Sequence, residues 1–589
     1  MLIKPVLKGP VWPRRIPWLT WTALAVAALV AVPVLSVLSS IFQSGQGNWP
    51  HLVETVLPHY IANSLILMAG VSVGVVVAGV GPAWLVVMCE FPGRRLFEWA
   101  LILPLAVPAY VVAYAYTDFL QAAGPLQTWI RALTGWGVRD YWFPQIRSLG
   151  GAIVIFSAVL MPYTYLLART AFLEQSISVL GAASTLGKSP WNRFRTVAVP
   201  LARPAIVTGT ALALMETLAD FGTVAHFGIS TFTTGIYRTW FSMGDRVAAA
   251  QLSSILVAFV FALLLLERYS RHRARFYRIG GTYEQIEPTR LHGWQAWSAA
   301  AFCAVPLVVG FLGPILILLW MALTAGHDLF SPRYVELTTN SVLLAGVTAI
   351  LAVALALLLC YAARIEKSRI TSGANVVAGM GYAIPGSIIA VGILIPVATI
   401  DNALSAWLEA NFGIRIGLLL TGSVAALVFA YLVRFMAVAL HTVQASFAKV
   451  TPSMEDVSRT LGHGPVSTAL RVHLPILSGG MLTAGLIVFV DVMKELPATL
   501  IMRPFNFDTL AIQAYNLARD ERLTQAASPS LVIAACGLVP VLVISRAIMQ
   551  SRPGAKASER MRPPAAGIFT AGYPGREDSA ATESGGANA

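Results

Sequence analysis

Four carboxylates interrupt apolar runs of this chain, where charge is costly. Glu216 and Asp220 are four residues apart, and Asp491 and Glu495 repeat that spacing at an offset of 275, with Lys494 alongside. A spacing of four predicts one helix face for each pair. Charge inside an apolar span faces a cavity or a partner. Two chemistries fit. In one, Lys494 neutralises a carboxylate and the remaining acids fix helix packing. In the other, the pairs are two acidic rungs lining a pathway, which suits a hard, highly charged cation that prefers oxygen ligands. The second reading makes Glu216, Asp220, Asp491 and Glu495 candidate translocation-pathway residues. No CxxC or Cys/His pairing accompanies them, so no metal site is fixed. His226 stands alone near the end of an apolar run and is read as an interface residue. Arg131, Arg139 and Arg147 are read as solvated loop residues.

Covalent chemistry has no comparable candidates. The chain contains no HExxH and no paired histidine cluster. Gly187-Lys188-Ser189 imitates the end of a phosphate-binding loop. However, Ala182 stands where the first glycine belongs, no strand is expected before it, and Pro190 follows. The chain is therefore read as no enzyme, binding no cofactor of its own.

The elements that hold these residues follow from composition. The chain has 589 residues, 57% hydrophobic and 12% charged, against about a quarter charged in a soluble protein. Apolar runs of about 20 residues recur, each long enough to cross a bilayer, and spans of that kind are helices. We expect twelve: 18–42, 60–89, 97–120, 149–173, 204–228, 247–267, 295–323, 338–363, 374–398, 416–440, 479–502 and 525–546. The net charge of +13 sits at helix ends and in alternate loops. That is the pattern of cytoplasmic loops, without the basic face or interleaved aromatics of a nucleic-acid binder. It places both termini in the cytoplasm. The expected organisation is a cytoplasmic N-terminus (1–17), a first six-helix domain (18–267), a basic cytoplasmic linker (268–293), a second six-helix domain (294–546) and a disordered cytoplasmic tail (547–589). The first apolar run lacks a convincing cleavage site and is kept as a span.

The two halves repeat one another. Asn63-Ser64 matches Asn340-Ser341 and Ala106-Val107-Pro108 matches Ala383-Ile384-Pro385, both at an offset of 277. Thr234 matches Thr509 at 275. Near-constant offsets across a half indicate duplication, and six spans per half make the repeat parallel. A loop signature occurs in each half. The first runs Gly181-Ala182-Ala183-Ser184-Thr185-Leu186-Gly187, then nine residues, then Val197-Ala198-Val199-Pro200. The second runs Asp456-Val457-Ser458-Arg459-Thr460-Leu461-Gly462, then nine residues, then Val472-His473-Leu474-Pro475. In each, the glycine ends a short helix and the proline suits the first turn of the next. The expected result is a compact knob at each of 181–200 and 456–475.

These loops resemble the EAA loop of bacterial ABC-importer permeases. The layout, with Thr217-Leu218-Ala219-Asp220-Phe221-Gly222-Thr223-Val224, Phe232-Thr233-Thr234-Gly235-Ile236-Tyr237 and Lys494-Glu495-Leu496-Pro497-Ala498-Thr499, resembles the fused ferric-iron permeases. The resemblance spans roughly residues 15–546. It implies an all-α membrane protein of the type I importer fold in the bacterial inner membrane. The implied partners are a periplasmic substrate-binding protein and two copies of a cytoplasmic ATPase that carry ATP and Mg. It further implies that Gly181, Ala182, Ala183, Gly187, Pro200, Asp456, Val457, Ser458, Gly462 and Pro475 dock the ATPase. The usual acidic residue is Gly181 in the first copy, and the paired alanines are Val457-Ser458 in the second. Fused thiamine and polyamine permeases share the architecture. An ion-coupled secondary carrier would share twelve spans but would need no docking loops.

Overall fold

The computed structural model describes residues 17–43, 47–175, 185–187, 189–272, 288–325, 331–366, 368–415 and 417–550. The first half contains α1 (Pro17–Ser39), α2 (Leu57–Met88), α3 (Arg94–Ala100), α4 (Ala109–Leu120), α5 (Leu149–Leu173), α6 (Val199–Ala219), α7 (Gly222–His226), α8 (Phe232–Tyr237) and α9 (Arg246–His272). The second contains α10 (Trp294–Leu307), α11 (Gly313–Ala325), α12 (Pro332–Glu366), α13 (Arg369–Ala378), α14 (Gly386–Phe412), α15 (Val424–Phe447), α16 (Pro452–Thr460), α17 (Leu474–Met493), α18 (Pro497–Met502), α19 (Leu510–Arg519) and α20 (Leu523–Gln550). Further short helices, among them Asn48–Thr55 and Pro125–Thr134, and turns join them. Among the described residues, 11 helices are long and apolar enough to cross a membrane, or up to 12 when the bent pair Arg94–Ala106 and Ala109–Thr134 counts as one. Most of the expected tail lies outside the described residues, although α20 runs on to Gln550.

The duplication is built into the backbone. Ser148 and Ser423 each accept a hydrogen bond from the amide three residues on, Gly151 and Ala426, both at 3.1 Å. They cap α5 and α15 at an offset of 275. Asn63 donates to the carbonyl of Ser230 at 2.9 Å, and Asn340 donates to that of Asp508 at 3.2 Å. Those carbonyls precede Thr231 and Thr509, the residues that start α8 and α19. The structural counterpart of Thr509 is therefore Thr231 and not Thr234, because the connection before α19 is three residues longer.

Four expected spans are broken or shortened. The span at 97–120 bends by 90°, and the span at 374–398 is interrupted between α13 and α14. Both breaks fall at the repeated Ala-x-Pro, where Val107 and Ile384 are extended (ψ 121° and 123°), since proline drives its predecessor out of the helical region. The spans at 204–228 and 479–502 end early, at Ala219 and Met493. The helix expected at 416–440 lies at 424–447.

In each half three helices make the centre: α2, α5 and α6, and likewise α12, α15 and α17. The remaining helices cross over. Helix α1 packs mainly on α13 and α14 of the other half, and α11 and α20 reach α4. The crossing needs close backbone approach. A Cβ on Gly392 of α14 would stand 2.2 Å from the carbonyl oxygen of Pro33 in α1. The hydroxyl of Thr20 donates to Glu366 at the end of α12, also in the other half. The halves are consecutive in sequence but interlocked in space. One loop arginine is part of this. Arg147, expected to be solvated, donates through both terminal nitrogens to Glu521 of the other half, at 2.9 and 2.8 Å. The guanidinium holds the Glu521 carboxyl below its usual range. The contribution of this exposed pair is present above the ordinary glutamate range and fades as pH falls through the depressed value.

Candidate functional site

Where α6 stops, Asp220 is extended (φ −69°, ψ 138°). Glu216 and Asp220 therefore do not share a helix face, contrary to the spacing argument. Asp220 instead turns forward to start α7. Its Oδ1 accepts from the amides of Thr223 at 2.9 Å and Val224 at 3.2 Å, and its Oδ2 from the Thr223 hydroxyl at 3.1 Å. Glu495 repeats this at an offset of 275. Its Oε1 accepts from the amide of Ala498 at 2.9 Å, and its Oε2 from the amide of Thr499 at 3.0 Å and the Thr499 hydroxyl at 2.7 Å. A carboxylate placed there satisfies amides that have no partner within the helix and meets the positive end of its dipole. Asp491 and Glu495 are likewise separated by the end of α17.

All four carboxylates nonetheless reach one cavity of about 110 Å³ between the halves. Their surroundings differ by half. Lys494 pairs with Asp491 at 2.9 Å, and Arg434 of α15 pairs with Glu495 at 3.0 Å. The residues at the same offset in the first half are Ala219 and Val159, which carry no charge. Glu216 and Asp220 thus have no cation bridging them among the described residues. Glu216 accepts no hydrogen bond there either, whereas Asp220 is engaged by α7. The hydroxyls of Tyr163 and Tyr382 meet at 3.3 Å on the cavity wall. Sequence reasoning missed Arg434, although a lone arginine within an apolar run is the same kind of signal as the carboxylates. His226 is packed within the first half: its Nε2 lies 3.1 Å from the Thr117 hydroxyl, and its ring is edge-on to Tyr114.

The loops at the other end of α6 and α17 also match. Gly187 and Gly462 take positive φ, +74° and +80°, and a Cβ on either would meet nothing within 4 Å. A π-helical turn follows in each, at Phe194–Ala198 and Ala469–His473. Pro200 and Pro475 come two residues later, and the wider turn accommodates rings that cannot join an α-helical ladder. Gly181, Ala182 and Ala183 lie outside the described residues. In the second loop Val457 and Leu461 are exposed, and Asp456 is exposed and paired with Arg459. Ser458 faces inward. It is 3% exposed and its hydroxyl lies 2.8 Å from that of Thr468, so it braces the knob from within. Glu455, not singled out from sequence, fastens α16 to the bundle. Arg364 of α12 donates to its Oε1 at 2.6 Å, and His473 at the start of α17 lies 3.3 Å from the same oxygen.

Comparison with known proteins bears on this arrangement. The family described as "binding-protein-dependent transport system inner membrane component" matches residues 70–275. The chain is 26% identical over 542 residues to the Fe(3+)-transport system permease protein FbpB 2 of Haemophilus influenzae, covering 91% of this chain and 99% of that one. It is 31% identical over 209 residues to the molybdenum transport system permease protein ModB of Escherichia coli, covering 33% of this chain and 87% of that one. The sulfate transport system permease protein CysW of Escherichia coli is 28% identical over 219 residues, covering 36% of this chain and 72% of that one.

Proposed function

Because the chain belongs to the binding-protein-dependent transport system inner membrane components, we propose that it is the fused permease of an ATP-driven importer of ferric iron. The observation that carries the substrate is the cavity between the halves. Two of its four carboxylates are neutralised by Lys494 and Arg434, and Glu216 and Asp220 are left over. A small site with surplus carboxylate oxygen suits a hard cation, and would repel a sulfate anion. Similarity over nearly the whole chain to an Fe(3+)-transport permease supports the same reading.

In this mechanism a periplasmic binding protein delivers the cargo, and two copies of a separate cytoplasmic ATPase each grip one loop. ATP-driven closure of the ATPase pair draws the loops together, and α6 and α17 lead directly from the loops to the capped breaks at Asp220 and Glu495. The bundle thereby alternates between two arrangements biased by its partners. The chain itself performs no covalent step and binds no cofactor.

Uptake of radioactive Fe(III) tests this, with labelled molybdate, sulfate, thiamine and spermidine in parallel. Cells carrying the chain and its ATPase are compared with cells whose ATPase cannot hydrolyse ATP. Iron uptake that disappears with the inactive ATPase is expected. ATPase-dependent uptake of another cargo without iron overturns the substrate, and uptake indifferent to the ATPase overturns the class. A second expectation concerns coupling. Glu455→Gln weakens a charge-assisted contact of about 1.5–3 kcal/mol between α16 and the bundle. It should lower uptake several-fold while the ATPase still copurifies. Unchanged uptake would show that the loop transmits force without this fastening.

A further inference from the structure

A second cavity, of about 590 Å³, adjoins the acidic one and has the opposite charge. Its lining includes Arg238, Arg503 and Arg519 and no carboxylate. It lies beyond the far ends of α6 and α17, about 30 Å of helix away from the docking loops. Phe221 lines both cavities, and its ring stacks on Tyr237 at 3.7 Å. The Tyr237 hydroxyl donates to the carbonyl of Pro497 in the other half. An aromatic partition tied across the two halves therefore separates a basic vestibule from an acidic cavity.

Two of the three arginines have carboxylate neighbours that lie outside the vestibule lining. Arg503 pairs with Asp508, and Arg519 lies 3.5 Å from Asp520 with both side chains more than half exposed. Neither carboxylate lines the vestibule. Arg238 is exposed, and its side-chain partner is the phenol of Tyr60. Repetition does not explain the charges. At the offset of 278 that matches Thr231 with Thr509, the counterparts of Arg238 and Arg519 are Asn516 and Phe241, and the position 275 before Arg503 is Gly228. A bare trivalent cation would be repelled here: at 10 Å in water each guanidinium opposes it by roughly 1 kcal/mol before screening. Guanidinium groups lining a concave site instead match oxyanions, in charge and in paired N–H geometry.

We propose that this vestibule is a binding site for a small oxyanion (phosphate, carbonate or a carboxylate), held by Arg238 and Arg519 with support from Arg503. Resting on the iron reading, the anion is the companion of ferric iron: the cargo enters with its anionic face on the arginines, and the metal passes the Phe221–Tyr237 partition towards Glu216 and Asp220. A free oxyanion would use the same arginines.

The test measures saturable binding of radiolabelled inorganic phosphate to the purified chain with its ATPase, without any binding protein. Wild type is compared with the double variants Arg238→Gln/Arg519→Gln and Arg238→Lys/Arg519→Lys. Labelled iron uptake is measured in cells carrying the same chains. Phosphate binding by wild type is expected, weakened about ten-fold or more by the glutamine pair and retained in larger part by the lysine pair, which guards against misfolding. Iron uptake should follow the same order. Absence of saturable phosphate binding to wild type overturns the site whatever the cargo proves to be. So does binding that the glutamine pair leaves unchanged. If phosphate does not bind but the glutamine pair loses attachment of the binding protein, the arginines are a protein-docking patch and the proposal fails. If phosphate binds as expected and wild type takes up no iron, the vestibule stands as a site for a free oxyanion and the iron reading falls.

Discussion

Gly462→Leu should abolish ATP-driven uptake in a chain that still folds and inserts. Gly462 sits at φ +80° with nothing within 4 Å of where a Cβ would stand. Leucine there meets no neighbour within the chain, so the transmembrane packing has no reason to change. The left-handed backbone is the difficulty. It costs a side-chain-bearing residue about 1–2 kcal/mol, and relaxation of that strain turns α16 away from the π-helical turn at Ala469–His473. The exposed surface formed by Val457 and Leu461 then presents a different face, and the added side chain stands in the ATPase's path. Uptake at background, with normal membrane insertion and reduced copurification of the ATPase, is the expected result. Gly187→Leu, at φ +74°, should behave alike. Full-rate transport by either variant would show that the loops do not dock the ATPase.

Glu216→Gln should lower iron uptake about ten-fold or more, a change of about 1.4 kcal/mol per decade, without loss of assembled protein. Glu216 has neither a bridging cation nor a hydrogen bond to lose among the described residues, so the amide should cost little stability. Glu495→Gln is the contrasting variant. Glu495 is buried, accepts from Arg434 and begins α18. Breaking that buried pair takes from Arg434 its hydrogen-bonded partner, at a cost on the order of 3–5 kcal/mol, so less assembled protein is expected. Uptake measured per assembled permease separates the two effects. If Glu216→Gln transports iron at the wild-type rate, the cavity does not handle the cation, and the acids of the first half serve packing alone.

Much of this was legible before folding. Long apolar runs fall where helices cross, because a bilayer leaves backbone polar groups no other partner. The offsets of 275 and 277 correctly announced two copies of one unit, visible in the paired caps Ser148 and Ser423 and in the glycines of the two loops. The carboxylates were legible as unusual because charge in an apolar run needs a local reason. Their geometry was not. A four-residue spacing assumes that the helix continues, and α6 and α17 stop before Asp220 and Glu495 because each carboxylate supplies the start of the next short helix. The inward hydrogen bond of Ser458 to Thr468 was hidden for the same reason: a motif gives position along the chain, not direction.

The sequence by itself determined the class of molecule, the duplication, the loops and the identity of the charged residues, since these depend on local composition and spacing. Only the tertiary structure decided which charges remain available. Arg434 and Lys494 neutralise Glu495 and Asp491, so the acidic surplus belongs to Glu216 and Asp220 of the first half. It also decided that α1 embraces the opposite half, that Glu455 ties a loop to the bundle, and that a basic vestibule faces an acidic cavity across Phe221 and Tyr237. Charge balance at a buried site is a sum over residues distant in sequence, and no local pattern records which of them will meet.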